Sequence, residues 1–350
     1  MGYGATSPKS VSENELAVSL VNDPLNTIGR RRQPLRVQPH QDAEQRLPEI
    51  GFTTPVDHGR WFLCPTLTPL YYTDIYDELS EEQRRRYNQL TALCFNELIA
   101  YFESAFAAGV LAALDDARRR QPDDELAECL VRFIAEERRH IEGWHQLNRL
   151  SEPAWYAGTD NQLIRIPVLA RRLLSLMGSN PRAFPVVFWI MLALEEHGIE
   201  ISRRCLRMDP QTIDPRYRMA FRDHLKDEVR HVQIDQQLID RFYSDRPYAI
   251  RKFNAKLFGL MLGRFFLPPS HSAIRVIRRL VHEVRDLMPL EPIMIRQLRS
   301  LNTDPAYQEM MYSRKTCPKT FALMDRFPEM HPMRRVLIWY TPSPGAARDG

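Results

Sequence analysis

The chain has 350 residues, enough for one large domain or two ordinary ones, and its 44% apolar fraction can fill a sizeable core. A net charge of +4, with 26% charged residues of both signs, describes a mixed solvated surface and argues against nucleic acid as a partner. Five scattered cysteines (Cys64, Cys94, Cys129, Cys205, Cys317) form no Cys-x-x-Cys pair, which argues against a thiolate zinc site and for a reducing compartment.

Residues 1 to about 45 are polar, include the basic run Arg30-Arg31-Arg32 and lack sustained periodicity, so a loosely packed N-terminal arm is expected there. The start shows no basic stretch followed by an apolar core, and the longest apolar run, Ala183 to Leu194, is short of the roughly 20 residues a membrane span needs. A cytoplasmic protein without a membrane partner is the expectation. Prolines and aromatics from 46 to 80 predict an irregular segment packed over the core.

From Ser80 onward the pattern is helical. Ser80-Glu-Glu-Gln is a capping sequence, and the helix it opens is predicted to run to about Arg120, where Gln121-Pro122 breaks it. Further helices are predicted at about 124–150, 166–177, 182–208 and 215–243, the last with Pro215 near its first position. Four more follow, at about 247–265, 270–287, 290–302 and 305–326. Strand signals are nearly absent.

Two Glu-x-x-His steps, Glu137/His140 and Glu228/His231, fall in the middle of predicted helices, each preceded by a helix with glutamates to spare. One Glu from each of two helices plus Glu-x-x-His from each of two others is the ligand set of a carboxylate-bridged two-metal site in a four-helix bundle. A lone Glu-x-x-His is weak, and Glu142-Gly-Trp-His145 also fits. It lies five residues past Glu137 and so points about 140° away around the helix. Phe133, Ile134 and Ile141 mark the Glu137/His140 side as the apolar one. On the later helix His224, Glu228 and His231 share one stripe, flanked by Leu225, Val232 and Leu238.

Hairpin spacing bears on the remaining carboxylates. Glu137 lies 14 residues past Asp123, whereas Glu103 lies 18 before Gln121 and Glu97 lies 24 before it. The axial mismatch is about 6 Å for Glu103 and about 15 Å for Glu97, which favours Glu103. Glu195 and Glu196 both suit the second hairpin, and Glu196 is preferred because it falls one turn from Leu192 and Ile199. This oxygen/nitrogen donor set suits iron, with manganese the alternative, and leaves room for O2. Asp223, Asp227 and Asp235 are candidates to hold the outer nitrogens of the histidines.

Over about residues 90–240 these residues resemble the di-iron N-oxygenases typified by p-aminobenzoate N-oxygenase. That family adds a third histidine shortly before its last Glu-x-x-His, and His224 fills that place. The resemblance implies the metal ligands Glu103, Glu137, His140, Glu196, His224, Glu228 and His231, with Glu195 still open against Glu196. It implies an all-α enzyme, a ferritin-like four-helix bundle with additional C-terminal helices in a single domain over 46–340, assembled as a homodimer. Two iron ions (Fe2+/Fe3+) and O2, fed by an external electron donor, would oxidise a small-molecule arylamine to hydroxylamine, nitroso or nitro product in antibiotic or other secondary metabolite biosynthesis. The competing expectations are a C-hydroxylase or desaturase acting on a carrier-bound substrate, and a non-enzymatic iron-binding helical protein. Arg296 and Arg299 are candidates for binding a substrate carboxylate.

Overall fold

The computed structural model describes residues 55–120, 125–267 and 271–342. The arm expected over 1–45 lies outside them. The protein is 77% helical, with no strand among the described residues. Its α-helices of seven residues or more are α1 (Glu81–Arg120), α2 (Glu125–Ser151), α3 (Val168–Ser179), α4 (Val186–Leu206), α5 (Pro215–Ile239), α6 (Tyr248–Met261), α7 (His271–Glu283), α8 (Glu291–Ser300), α9 (Pro305–Met311) and α10 (Pro318–Arg326).

Helix starts follow local chemistry. The Ser80 backbone N–H donates to Gln83 Oε1 at 2.9 Å, and Gln83 N–H donates to Ser80 Oγ at 3.2 Å, a reciprocal box at the head of α1. Asp214 caps α5, accepting from the N–H groups of Arg216 and Tyr217, with Pro215 as the first helical residue. The predicted helix over 305–326 is two helices. α9 ends at Met311, where Tyr312 turns extended, and α10 starts at Pro318, which holds Cys317 out of helical geometry.

α1 packs along α2, and α4 along α5. The two hairpins meet through α2 against α5 and α1 against α4, closing a four-helix bundle. The first half of α4 is apolar on every side, and each residue from Val186 to Leu192 is at most 2% exposed. A helix without a polar face must be covered all round. Here α6 and α10 complete the cover. By length and composition α1 could cross a membrane, with a mean hydropathy of 1.5 over its most apolar 18 residues. In this fold it is a bundle helix with Glu97 buried, flanked on its outer side by α3 and α7. From residue 55 on, the segment before α1 packs on the bundle as expected. Asn88 of α1 accepts from the Phe62 and Leu63 N–H groups, and Phe62 stacks on Tyr217 of α5.

Candidate metal centre

The ligand helices turn a few carboxylates and imidazoles inward, where apolar residues would otherwise stand. Two groups of donors result: Glu103, His140, His224 and Glu228, and Glu137, His140, Glu228 and His231. Within each, one donor atom per residue lies within 4.8 Å of all the others. His140 and Glu228 belong to both groups, so Glu228 stands where a bridging carboxylate would. His224 Nε2 is 3.0 Å from Glu228 Oε1, His140 Nδ1 is 3.6 Å from the same oxygen, and His231 Nδ1 is 3.5 Å from it.

The donors fit a pair of cations for a physical reason. Glu103 Oε2, Glu137 Oε1, both Glu228 oxygens, His140 Nδ1 and His231 Nδ1 are buried and make no well-aligned hydrogen bond, although His231 Nδ1 lies 2.9 Å from Glu137 Oε1. Buried polar groups without partners are costly, and buried like charges more so. Burial, and then the charges of Glu137 and Glu228, push the Glu103 carboxyl well above its ordinary range. Burial and the neighbouring His140 and His231 push His224 well down. Two divalent cations would satisfy every one of these atoms at once.

The histidines are oriented from behind. His140 Nε2 lies 3.1 Å from Asp227 Oδ2, and His231 Nε2 lies 3.0 Å from Glu136 Oε2, which leaves both Nδ1 atoms facing the site. Asp227 pairs with Arg139 and Arg230, and Glu136 with Arg132 and Arg230. Burial opposes the Asp227 charge, but the His140 hydrogen bond and the surrounding cations hold its carboxyl well below the usual range. Asp227 therefore takes the role expected of it. Asp223 turns outward to Lys226, and Asp235 is buried with both oxygens free of partners. Glu136 was missed, because a tandem Glu136-Glu137 offers no sequence sign that both residues point inward to different histidines. Gly198 matters here through its lack of a side chain: a Cβ at that position would come within 3.2 Å of His224 Cε1.

The structure corrects one predicted ligand. Glu196 is buried but turns away from the other donors, accepting from the backbone N–H groups of Lys319 and Thr320 at 2.7 Å each. It caps α10, the helix created by the break before Pro318. Glu195 instead faces the donors, with Oε2 3.9 Å from His231 Nδ1. Glu97 is likewise occupied elsewhere, accepting from the Tyr156 hydroxyl and from the N–H groups of Gln162, Leu163 and Ile164. His145 sits at the far side of α2, 3.8 Å from Asp160. No described cysteine is among the donors of the centre.

A family model, p-aminobenzoate N-oxygenase AurF, matches residues 38–287. The chain belongs to that family. Comparison with curated proteins and with solved structures gives no match. The AurF family is an oxygenase family with a ferritin-like, all-helical di-iron fold, which agrees with the bundle and with its buried donors. In this AurF-family chain the centre opens onto a cavity of about 930 Å³, and Glu103, Glu137, Glu195 and His224 are part of its wall.

Proposed function

We propose that this protein is a non-haem di-iron N-oxygenase that uses O2 to oxidise an arylamine. Its iron ligands in this reading are Glu103, Glu137, His140, Glu195, His224, Glu228 and His231. The observation that carries it is the set of buried, partnerless carboxylate and imidazole atoms converging from four helices beside a large cavity. Two irons held there would supply the redox chemistry with O2; the chain supplies position, charge and dryness.

The roles of the residues follow from their surroundings. Asp227 and Glu136 hold a proton on the outer nitrogen of His140 and of His231, keeping each Nδ1 lone pair directed inward. His224 does the same work through Nε2, with its ring set by Gly198 and Trp144. Phe102, Phe106, Ile134 and Met191 give the cavity an apolar wall that excludes water from the reacting nitrogen. The first oxidation balances as amine, O2, two electrons and two protons giving hydroxylamine and water. An external electron donor is therefore part of the proposal, as are further oxidation to nitroso or nitro, a homodimer and a place in secondary metabolism.

The test is metal analysis of anaerobically prepared protein, followed by reaction of arylamines with labelled O2 and a reductant. About two irons per chain and label on the product nitrogen are expected. Less than one iron per chain, or label only on carbon, would sink the reading. The latter outcome would instead favour hydroxylation of a carbon chain, which the apolar cavity could also accommodate.

A further inference from the structure

The cavity is longer and more basic than one aromatic ring requires. Along α1 alone its wall runs from Tyr87 to Leu111, 24 residues apart, or about 36 Å of helix. Its volume of about 930 Å³ lies at the upper end of what drug-sized ligands occupy. A single-ring amine would leave most of that apolar wall without contacts, and an unfilled wall forfeits its dispersion energy.

Charge adds a direction. Among the described residues the acids of the wall are Glu103, Glu137 and Glu195, all at the metal end; of its six arginines Arg138 adjoins Glu137, and the other five come from other segments. Of these, Arg278 pairs with Glu291. Arg275 of α7 differs from the exposed ones: it is half-buried, its Nη1 is buried without a hydrogen-bond partner, and it has no carboxylate partner among the described residues. It lines the cavity together with Cys94 of α1, the helix against which α7 packs. Cys94 lies nine residues, about 13.5 Å of helix, before Glu103. A guanidinium fork left partly unpaired in an apolar cavity is a site for a carboxylate or phosphate-type oxyanion.

We infer that the substrate is an elongated amphipathic amine whose anionic head is held by Arg275 while its nitrogen reaches the Glu103 end of the cavity. The identification of the nitrogen rests on the proposed N-oxygenation; the long apolar body and the anionic head do not. The stretch of α1 between Cys94 and Glu103, which forms part of the wall, matches a chain of about ten bonds, given C–C bonds of about 1.5 Å set in zigzag. That length is beyond an aminobenzoate and within reach of an arylamine carrying an alkanoate tail.

The experiment titrates metal-free protein, and in parallel iron-loaded protein without O2, with ω-(4-aminophenyl)alkanoates of increasing length. p-Aminobenzoate is the shortest of the series, and the methyl esters are uncharged controls. Affinity is expected to rise about fourfold per methylene, at about 0.8 kcal/mol each, until the chain spans the cavity. Arg275→Ala is expected to weaken the long acids at least tenfold and leave their methyl esters unchanged, and Arg275→Lys to restore part of the loss. Circular dichroism and melting of both variants check that they fold. Affinity independent of length overturns the elongated body, and equal binding of acid and ester overturns the anionic head. Because binding is read without turnover, these results stand apart from any failure of N-oxygenation, which product analysis alone decides.

Discussion

In the second hairpin, the first half of α4 is almost wholly enclosed, with Val186 to Leu192 at most 2% exposed and Met191 of that stretch touching the cavity. In the first hairpin, α1 also carries many apolar residues, yet Leu98, Phe102 and Ala107 are only half-buried and face an open cavity. Both hairpins offer glutamate from one helix and Glu-x-x-His from the next, so they look equivalent as ligand carriers. They are not equivalent as packing elements. One apolar wall is covered by neighbouring side chains, and the other leaves room for a ligand to cover it. An uncovered apolar wall beside a buried set of donors marks the approach to the centre, and it lies on the α1 side.

That contrast can be broken by truncation. Phe188→Ala, in the enclosed stretch, is expected to cost about 3–5 kcal/mol in denaturant unfolding. Phe102→Ala, at the cavity wall, should cost less than half as much and act mainly on ligand affinity. Equal losses would mean the cavity wall is packed in solution. The next effect is the metal itself. Iron(II) at a hundred times its Kd should stabilise the folded protein by about 2.7 kcal/mol for each site filled, measured by anaerobic unfolding. Glu228→Ala should abolish that gain and drop the iron content below one per chain.

The paired glutamates sharpen the comparison further. Glu195→Ala is expected to lose iron with little change in folding. Glu196→Ala should keep both irons and lose about 1–2 kcal/mol, the usual cost of deleting a helix cap. The reverse pattern would return Glu196 to the ligand set. The smallest effect belongs to His145→Ala, which should keep both irons and change stability by no more than about 0.5 kcal/mol. His224→Ala should lose iron, as inductively coupled plasma analysis would read directly.

Much of the site was legible because helical spacing is rigid. His224, Glu228 and His231 share a stripe whatever surrounds them, and four turns of helix do not drift enough to confuse Glu103 with Glu97. The rest was not legible, because adjacent helical residues differ by about 100° and a buried face is wide enough to take both. For Glu195 and Glu196 the deciding partner is the start of α10, more than 120 residues later in the chain. Reading 305–326 as one helix concealed that start. Glu136 went unrecognised for a similar reason: its hydrogen-bond partner, His231, is on another helix.

The amino-acid order alone determined the helices, the two hairpins and the stripe of donors on each, since these depend on local geometry and on breaks such as Gln121-Pro122 and Asp209-Pro210. Only the tertiary structure decided which of two neighbouring carboxylates faces the centre, which acids hold the outer histidine nitrogens, and where the apolar wall remains uncovered. Those outcomes turn on partners distant in sequence, and a buried charge goes to whichever donor the packed chain brings within reach.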